Sequence, residues 1–560
     1  MTAAWTNARR AKVLVFTASV VIYVAVGYWL QVEQGFIVGD ALSRVQSAQT
    51  VLHSREPHVA AIGFIFTPLT ALIQLPAVFF SPIWPALTTY AFAGTLMSAP
   101  FMAGAVVQIA SMGIDRSLPR SYVAAITALF ALNPMIVFYG ANGMSEAPFV
   151  FFTAWAVRRL VMWMADDDVH HLITAGGIAM AMSYLTRYDA VASIAVAGFL
   201  VAVTTYRRAP GPPRVRRALL RLLLVSGPGF AAFIGWAAAS WLITGEAFAQ
   251  FTSQYGNTEI LRQSGGGSTA GLAAGFGFAA VCVALLAPTL IPIAAWAAHL
   301  RWRRPLWTVL IVPITMYGAI LAFQAYSYAD GATFGFLRFY IVAIPFAATL
   351  AMLAVPEGTL VGWKRRGRFA PDAPPLSGTA RVRGAYPAVA LALAIGLPTT
   401  AWAMSSAHYA PQEYALGTVL APDPYDPSQR RAAQERIAAT FSTERALARY
   451  LDGLNLPESS VLTDTVYGFA VVAASERPRT FVIPSDSDFV KMLNDPAGNG
   501  VRYMLAVPRD GRGIADALNE RYPTLYDTGS DVATLELELR NDGDNQPAWR
   551  LYRVNDPEPR

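Results

Sequence analysis

Lysine is nearly missing from this chain: of 43 basic residues only Lys12, Lys364 and Lys491 are lysines, and the rest are arginine. The one cysteine, Cys282, lies inside an apolar run, which excludes a disulfide framework and a thiolate metal site. Charge of either sign is scarce, at 14% of residues against about 25% in soluble proteins, so most of the chain is not built to face water. No basic stripe carries interleaved aromatics, and the basic residues cluster between apolar segments; nucleic acid is excluded as a partner. No internal repeat is found, nor the pair of interrupted segments that marks an inverted-repeat transporter.

What is present is apolar sequence, 54% of 560 residues, in repeated runs of 18 or more. That is the pattern of a polytopic α-helical membrane protein. Arg9, Arg10 and Lys12 precede the first run with no convincing cleavage site after it, so it reads as an uncleaved span with the N-terminus inside. Basic clusters then order about eleven spans: 13–31, 86–111, 121–140, 147–164, 170–186, 190–206, 222–244, 271–298, 305–324, one from after Arg338 to before Lys364, and 386–404. Arg158 and Arg159 are expected to snorkel to the inner headgroups. The block 60–80 is long enough to cross, but Pro68 and Pro76 interrupt it and no basic cluster follows. It is read as a partly inserted hairpin on the outer side. Eleven spans from an inside N-terminus divide the chain into a membrane domain, 1–404, and an extracytoplasmic domain, 405–560.

The second part turns rich in Asp, Glu, Arg, Pro and Asn. Short apolar runs at 460–462, 480–483 and 503–507 read as buried strands, with helices at 429–451, 489–493 and 514–521, which predicts a small soluble α/β domain. It has no G-x-G-x-x-G turn and no P-loop, so no nucleotide site is expected there. Asp464, Asp486 and Asp488 read as turn-capping acids, with a sugar or cation site as the alternative.

The chemistry-bearing residues gather in the outer loops. Behind span one, Ala41, Val45, Ala48 and Leu52 recur at helical spacing with Ser43, Arg44, Gln46, Ser47, Gln49 and Thr50 opposite. This predicts a helix lying along the bilayer surface, one face apolar and one wet, with Asp40 at its N-cap. The same topology brings Glu146, Arg187, Asp189, Tyr328, Asp330 and Arg338 to that side, with His53 and His58 nearby. Each has an ordinary explanation: a cap, a dipole partner, an interfacial anchor or a surface histidine. Their convergence on one face is what points to a site.

Asp40 in the first outer loop with the following Thr67-Pro68-Leu69, the loop Asn142-Gly143-Met144-Ser145-Glu146, and Leu337-Arg338-Phe339-Tyr340 before a late span together resemble the GT-C glycosyltransferases that use lipid-linked sugars, nearest to the ArnT/protein-mannosyltransferase-like branch. The likeness covers roughly 1–404. It implies an inverting glycosyltransferase of the plasma (inner) membrane, working at the outer face, that moves a sugar from a polyprenyl-phosphate donor to a cell-envelope glycan, lipid or protein. Asp40 is then the base and Arg338, followed by Arg187, the phosphate clamp. Glu146 would orient the acceptor or a cation, with the apolar block 60–80 seating the polyprenyl chain. The first loop carries one acid where the family commonly has two, which leaves open whether a divalent cation (Mg or Mn) takes part. Two other functions stay in view: a flippase for a lipid-linked glycan, which calls for ionisable residues deep in the spans, and a membrane-anchored glycan-binding protein working through 405–560.

Overall fold

A computed structural model describes residues 2–116, 118–208, 211–253, 261, 271–302, 307–354, 379–423 and 425–555. Gln254, Tyr255, the glycines 265–267 and the basic residues 303–304 and 364–368 lie outside the described residues.

The fold is that of a multi-pass membrane protein carrying a small mixed sheet. Six helices are long and apolar enough to cross a bilayer, Ala8–Glu33, Phe92–Asp115, Ala190–Arg208, Arg214–Thr244, Thr308–Ala329 and Tyr386–Met404. The pairs Arg120–Ala131 with Pro134–Ala141 and Leu272–Leu286 with Leu290–Arg301 bend by 61° and 77°, and counting each as one span gives eight. Glu146–Asp166, the helical run 169–186 and Leu337–Leu353 complete the order expected from the basic clusters, but their length or composition does not by itself mark them as spans. The block 60–80 does not cross: it holds a single turn at Val59–Ile62 and a helix of ten residues, Leu69–Val78. Arg158 does not reach for headgroups. It turns into the protein and pairs with Asp115 and Gln108, at 2.8 Å and 3.1 Å, because a buried guanidinium needs a partner more than an exposed one does. At the same end Asp167 is held by Arg221 at 2.7 Å.

The sheet has the order β2-β1-β3-β5-β4, with β1 (Val461–Leu462) parallel to β2 (Phe481–Val482) and β3 (Tyr503–Ala506), and β5 (Trp549–Val554) antiparallel to β3 and to β4 (Ala533–Leu539). The run expected as one helix over 429–451 is two, Gln429–Ala438 and Ser442–Gly453. The break lets Phe441 drop into an apolar cluster with Leu42, Val45, Ala48 and Phe469. Asp464 does cap a helix, accepting from the Val466 amide at 2.8 Å, and it also accepts from the Ala517 amide at 2.9 Å. Asp486 likewise caps a turn, accepting from the Ile483 amide at 3.0 Å; it and Asp488 also receive Arg55, and the Ser487 amide donates to Glu56 at 2.8 Å. These contacts seat the sheet against the helix Gly39–His53.

That helix corrects the surface-helix expectation. Its apolar residues face the cluster just described, and Gln46, Gln49 and Thr50 are buried too. It is sandwiched between the bundle and the sheet-bearing part, a partner that helical periodicity alone does not reveal. Its polar face is the wall of a cavity.

The loop before Glu146 depends on a close approach. Gly143 has φ +79°, and its Cα lies 2.9 Å from where a side chain on Gly94 would begin. Gly143→Ala would meet the Gly94 Cα at 2.8 Å in a backbone conformation that disfavours a side chain. We expect it to cost about 1–3 kcal/mol, read as a lower unfolding temperature in detergent by size-exclusion chromatography after heating.

Candidate functional site

Asp40 and Arg338 are 298 residues apart in sequence and in contact in space. Arg338 donates from Nη2 to the Asp40 carboxylate at 3.1 Å and from Nη1 to the Gln412 side chain at 2.8 Å. Arg338 sits in a single turn, Leu337–Tyr340, pinned by the Leu337 amide bonding to the Tyr409 carbonyl at 2.8 Å. Its guanidinium lies beside the packed pair Phe336 and Phe339, 5.2 Å from each ring centre. Asp40 is not the N-cap. Val38 holds that position, and Asp40 lies in the first turn with its side chain free of the helix backbone. A carboxylate spent on capping would have been aimed at its own amides; here it is aimed at Arg338.

The second acid is next to the first pair. The turn Asn142-Gly143 is closed by the Met144 amide donating to the Asn142 side chain at 3.1 Å, and it delivers Glu146 to the start of the helix Glu146–Asp166. Glu146 is 1% exposed and accepts from Arg187 at 2.8 Å, while Arg338 Nε stands 4.0 Å away. Arg187 also donates to Asp189 at 2.9 Å. Two carboxylates thus hold Arg187, whereas Arg338 Nε and Glu146 Oε2 have no hydrogen-bond partner among the described residues.

A third cation, Arg44, was not singled out from the sequence. It follows Asp40 by one helical turn, donates to the Asp40 carbonyl at 2.9 Å, and lies over the Phe66 ring at 4.2 Å. The i, i+4 spacing from Asp40 was the available signal. Gln412 and Glu413 carried none, since a segment after the last span has no periodicity to place it. Burial pushes the Glu413 pKa up, and Tyr139 donates a hydrogen bond to it.

The other expected residues are placed apart. His53 bonds to the Val78 carbonyl at 3.2 Å at the far end of its helix. His58 is exposed at the cavity rim, bonded to the Glu56 carbonyl at 2.7 Å. Tyr328 packs on Phe278 with ring centres 4.8 Å apart, and Asp330 is exposed at the end of the helix Ile311–Ala329. Neither Tyr328 nor Asp330 lines the cavity.

The cavity is about 970 Å³ and runs from Asp40 between the helix Gly39–His53, the segment 60–66 and the sheet-bearing part. Asp40 lies deep in the protein, yet its side chain is 38% exposed because the cavity opens onto it. Burial alone would raise its pKa, but Arg338, Arg44 and Arg187 more than offset that and hold the carboxyl below the usual range.

A divalent cation does not fit these charges. Asp40 and Glu146 bracket Arg338, so the position between the acids is already filled by a guanidinium. Among the described residues no three His, Cys, Asp or Glu side chains gather as a metal group. With Arg44 and Arg187 beside it, three guanidinium groups meet the carboxylates of Asp40, Glu146 and Asp189 here.

No family model matches the sequence, and no curated protein matches it significantly. Solved structures do. ArnT from Cupriavidus metallidurans bound to undecaprenyl phosphate aligns over 97% of this chain and 97% of its own, at a TM-score of 0.51 and 12% identity. The apo state of the same protein aligns over 98% of each chain, at a TM-score of 0.50 and 14% identity. From end to end, this chain has the fold seen in ArnT.

Proposed function

We propose that this protein is an inverting glycosyltransferase that works at the outer face of the plasma membrane, taking a sugar from a polyprenyl-phosphate donor and giving it to a glycan, lipid or protein of the cell envelope. The observation that carries the reading is the contact of Asp40, which lines a cavity with one apolar wall, with Arg338 buried behind it. The fold shared with a structure titled as bound to undecaprenyl phosphate supports the donor class.

A phosphate leaves a sugar carbon readily, so the reaction needs no strong acid at the leaving group. It needs a base and a fixed positive charge. The acceptor oxygen attacks C1 of the sugar on the face opposite the phosphate, and the C1–O bond breaks with its electron pair leaving on the polyprenyl phosphate. The acceptor proton passes to Asp40. Arg338, with Arg44 as the second cation, stabilises the departing phosphate by its positive charge from behind Asp40. Arg187, held by two carboxylates, positions Glu146 and Asp189, and Glu146 orients the acceptor. The segment 60–66 seats the first prenyl units. In the free protein Arg338 makes Asp40 a weak base. When the donor phosphate takes up part of that positive charge, the Asp40 pKa rises toward the range where it accepts a proton well.

The test is transfer in proteoliposomes from defined undecaprenyl-phosphate sugars to an envelope extract, followed by mass spectrometry. A glycosylated acceptor is expected only when donor and acceptor are both present. Movement of donor across the bilayer without transfer would replace this reading with a flippase. Because Arg338 fills the place between the two acids, 5 mM EDTA (about fiftyfold over trace metal) is expected to change the transfer rate less than twofold. A rate abolished by EDTA and restored by Mg or Mn would contradict the assignment of charges.

A further inference from the structure

The cavity has a second wall that the proposed reaction does not use. Opposite the apolar segment 60–66 it is lined by polar groups from the sheet-bearing part, chiefly Ser485, Arg512, Asp544, Asn545 and Gln546. Asp544, Asn545 and Gln546 form the tip of the loop between β4 and β5. That loop is fastened at its base and through the Asp544 main chain. Asn541 donates to Glu444 at 2.6 Å and to the Pro547 carbonyl at 3.0 Å, and the Asp544 amide donates to the Arg436 carbonyl at 3.1 Å. The tip side chains are left over. Asn545, at φ +53°, donates to the Asp544 carboxylate at 2.8 Å, so that pair presents one preset donor–acceptor edge.

Three polar atoms around this wall are buried and have no hydrogen-bond partner among the described residues: Gln546 Oε1, Ser485 Oγ and, across the cavity, Ser253 Oγ. Buried polar atoms are rarely left so, since each costs about 1–3 kcal/mol unless something completes it. Arg512 adds a guanidinium that is itself tied down, donating to the Val466 carbonyl at 3.1 Å and lying 5.2 Å over the Tyr467 ring.

We infer that the wall formed by Gln546, Asn545, Asp544 and Ser485 is a binding site for the sugar hydroxyls of the acceptor, which makes the acceptor a glycan or a glycan-bearing lipid and not a bare peptide. This rests on the glycosyltransferase reading above. Amide and hydroxyl groups both donate and accept and the carboxylate accepts, which suits vicinal hydroxyls that do both. An apolar donor wall and a polar acceptor wall then meet at Asp40, where the proton is transferred.

The experiment uses the full chain in nanodiscs, undecaprenyl-phosphate sugar as donor and envelope oligosaccharide as acceptor, with binding of undecaprenyl phosphate measured separately. The double variant Asn545→Ala, Gln546→Ala loses two contacts of about 1 kcal/mol each, so the acceptor KM is expected to rise about tenfold or more. The donor KM, kcat and undecaprenyl phosphate affinity should stay within twofold. Ser485→Ala should raise the acceptor KM alone by a smaller factor, which guards against a loop that has merely moved. Transfer with unchanged acceptor KM in both variants overturns this site and leaves the enzyme standing, as does efficient transfer to an unglycosylated peptide. No transfer by the unaltered protein with any acceptor overturns both.

Discussion

Asp40→Asn is expected to reduce transfer at least a hundredfold while leaving the protein inserted and folded. A positioned general base contributes about 10²–10⁴ to a rate. The amide keeps the shape of the carboxylate and still accepts from Arg338, so the hydrogen bond at 3.1 Å survives without its charge. What the fold loses is the ion pair and the favourable placing of an anion in a first helical turn, worth about 0.3–1 kcal/mol. Catalysis should therefore collapse where stability barely changes, and size-exclusion profiles before and after heating will separate the two. Glu146→Gln provides the contrast. Glu146 is 1% exposed and accepts from Arg187, so neutralising it disturbs a buried pair and should lower stability together with activity. A Asp40→Asn enzyme working within tenfold of the unaltered one would remove Asp40 from the chemistry.

The site was legible to the extent that it follows from sidedness. Basic clusters order the spans, and that order is enough to bring Asp40, Glu146, Arg187 and Arg338 to one end of the bundle, where they touch. The same rule also delivers Tyr328 and Asp330 to that end, yet Tyr328 packs on Phe278 and Asp330 is exposed at a helix end, because the rule fixes height along the membrane normal and nothing about position across it. The helix Gly39–His53 was legible as amphipathic and misjudged in its surroundings. Periodicity tells which face is polar, and a polar face reads the same toward water as toward a cavity. Strands β1, β2 and β3 declare themselves as short apolar runs. Strand β4 alternates Leu535, Leu537 and Leu539 with Thr534, Glu536 and Glu538, a period-two signal that was present and passed over because charged residues fill every second place. Gln412 and the loop 544–546 reach the cavity only through tertiary packing, and no local pattern marks them.

Arg338→Gln is expected to be the second severe lesion, with a different signature. Removing one preorganised donor from a developing anion costs about 10²–10³ in rate, and here the loss should fall on kcat/KM for the donor. It should also move the pH profile. Arg338 is the foremost of the positive charges that hold the Asp40 carboxyl below its usual range. A positive neighbour favours the ionised form, so taking it away raises the pKa, toward or above the unperturbed value of about 3.9. The base must be ionised to accept a proton. The acid limb of kcat/KM, which reports the free enzyme, should therefore lie below the ordinary carboxylate range in the unaltered protein and shift to higher pH in Arg338→Gln. Arg187→Gln also removes a charge that acts on Asp40, but Arg187 is bound by Glu146 and Asp189 and its part in holding Asp40 down is smaller than that of Arg338 and Arg44. Its shift of the acid limb should be the smaller one. Rate–pH curves for the three enzymes between about pH 2.5 and 8, reaching more than one unit below the unperturbed carboxylate value, make the comparison. If Arg338→Gln leaves the acid limb where it was while Arg187→Gln moves it, then Arg187 is the cation coupled to the base, and the assignment of Arg338 as the clamp that tunes Asp40 is wrong.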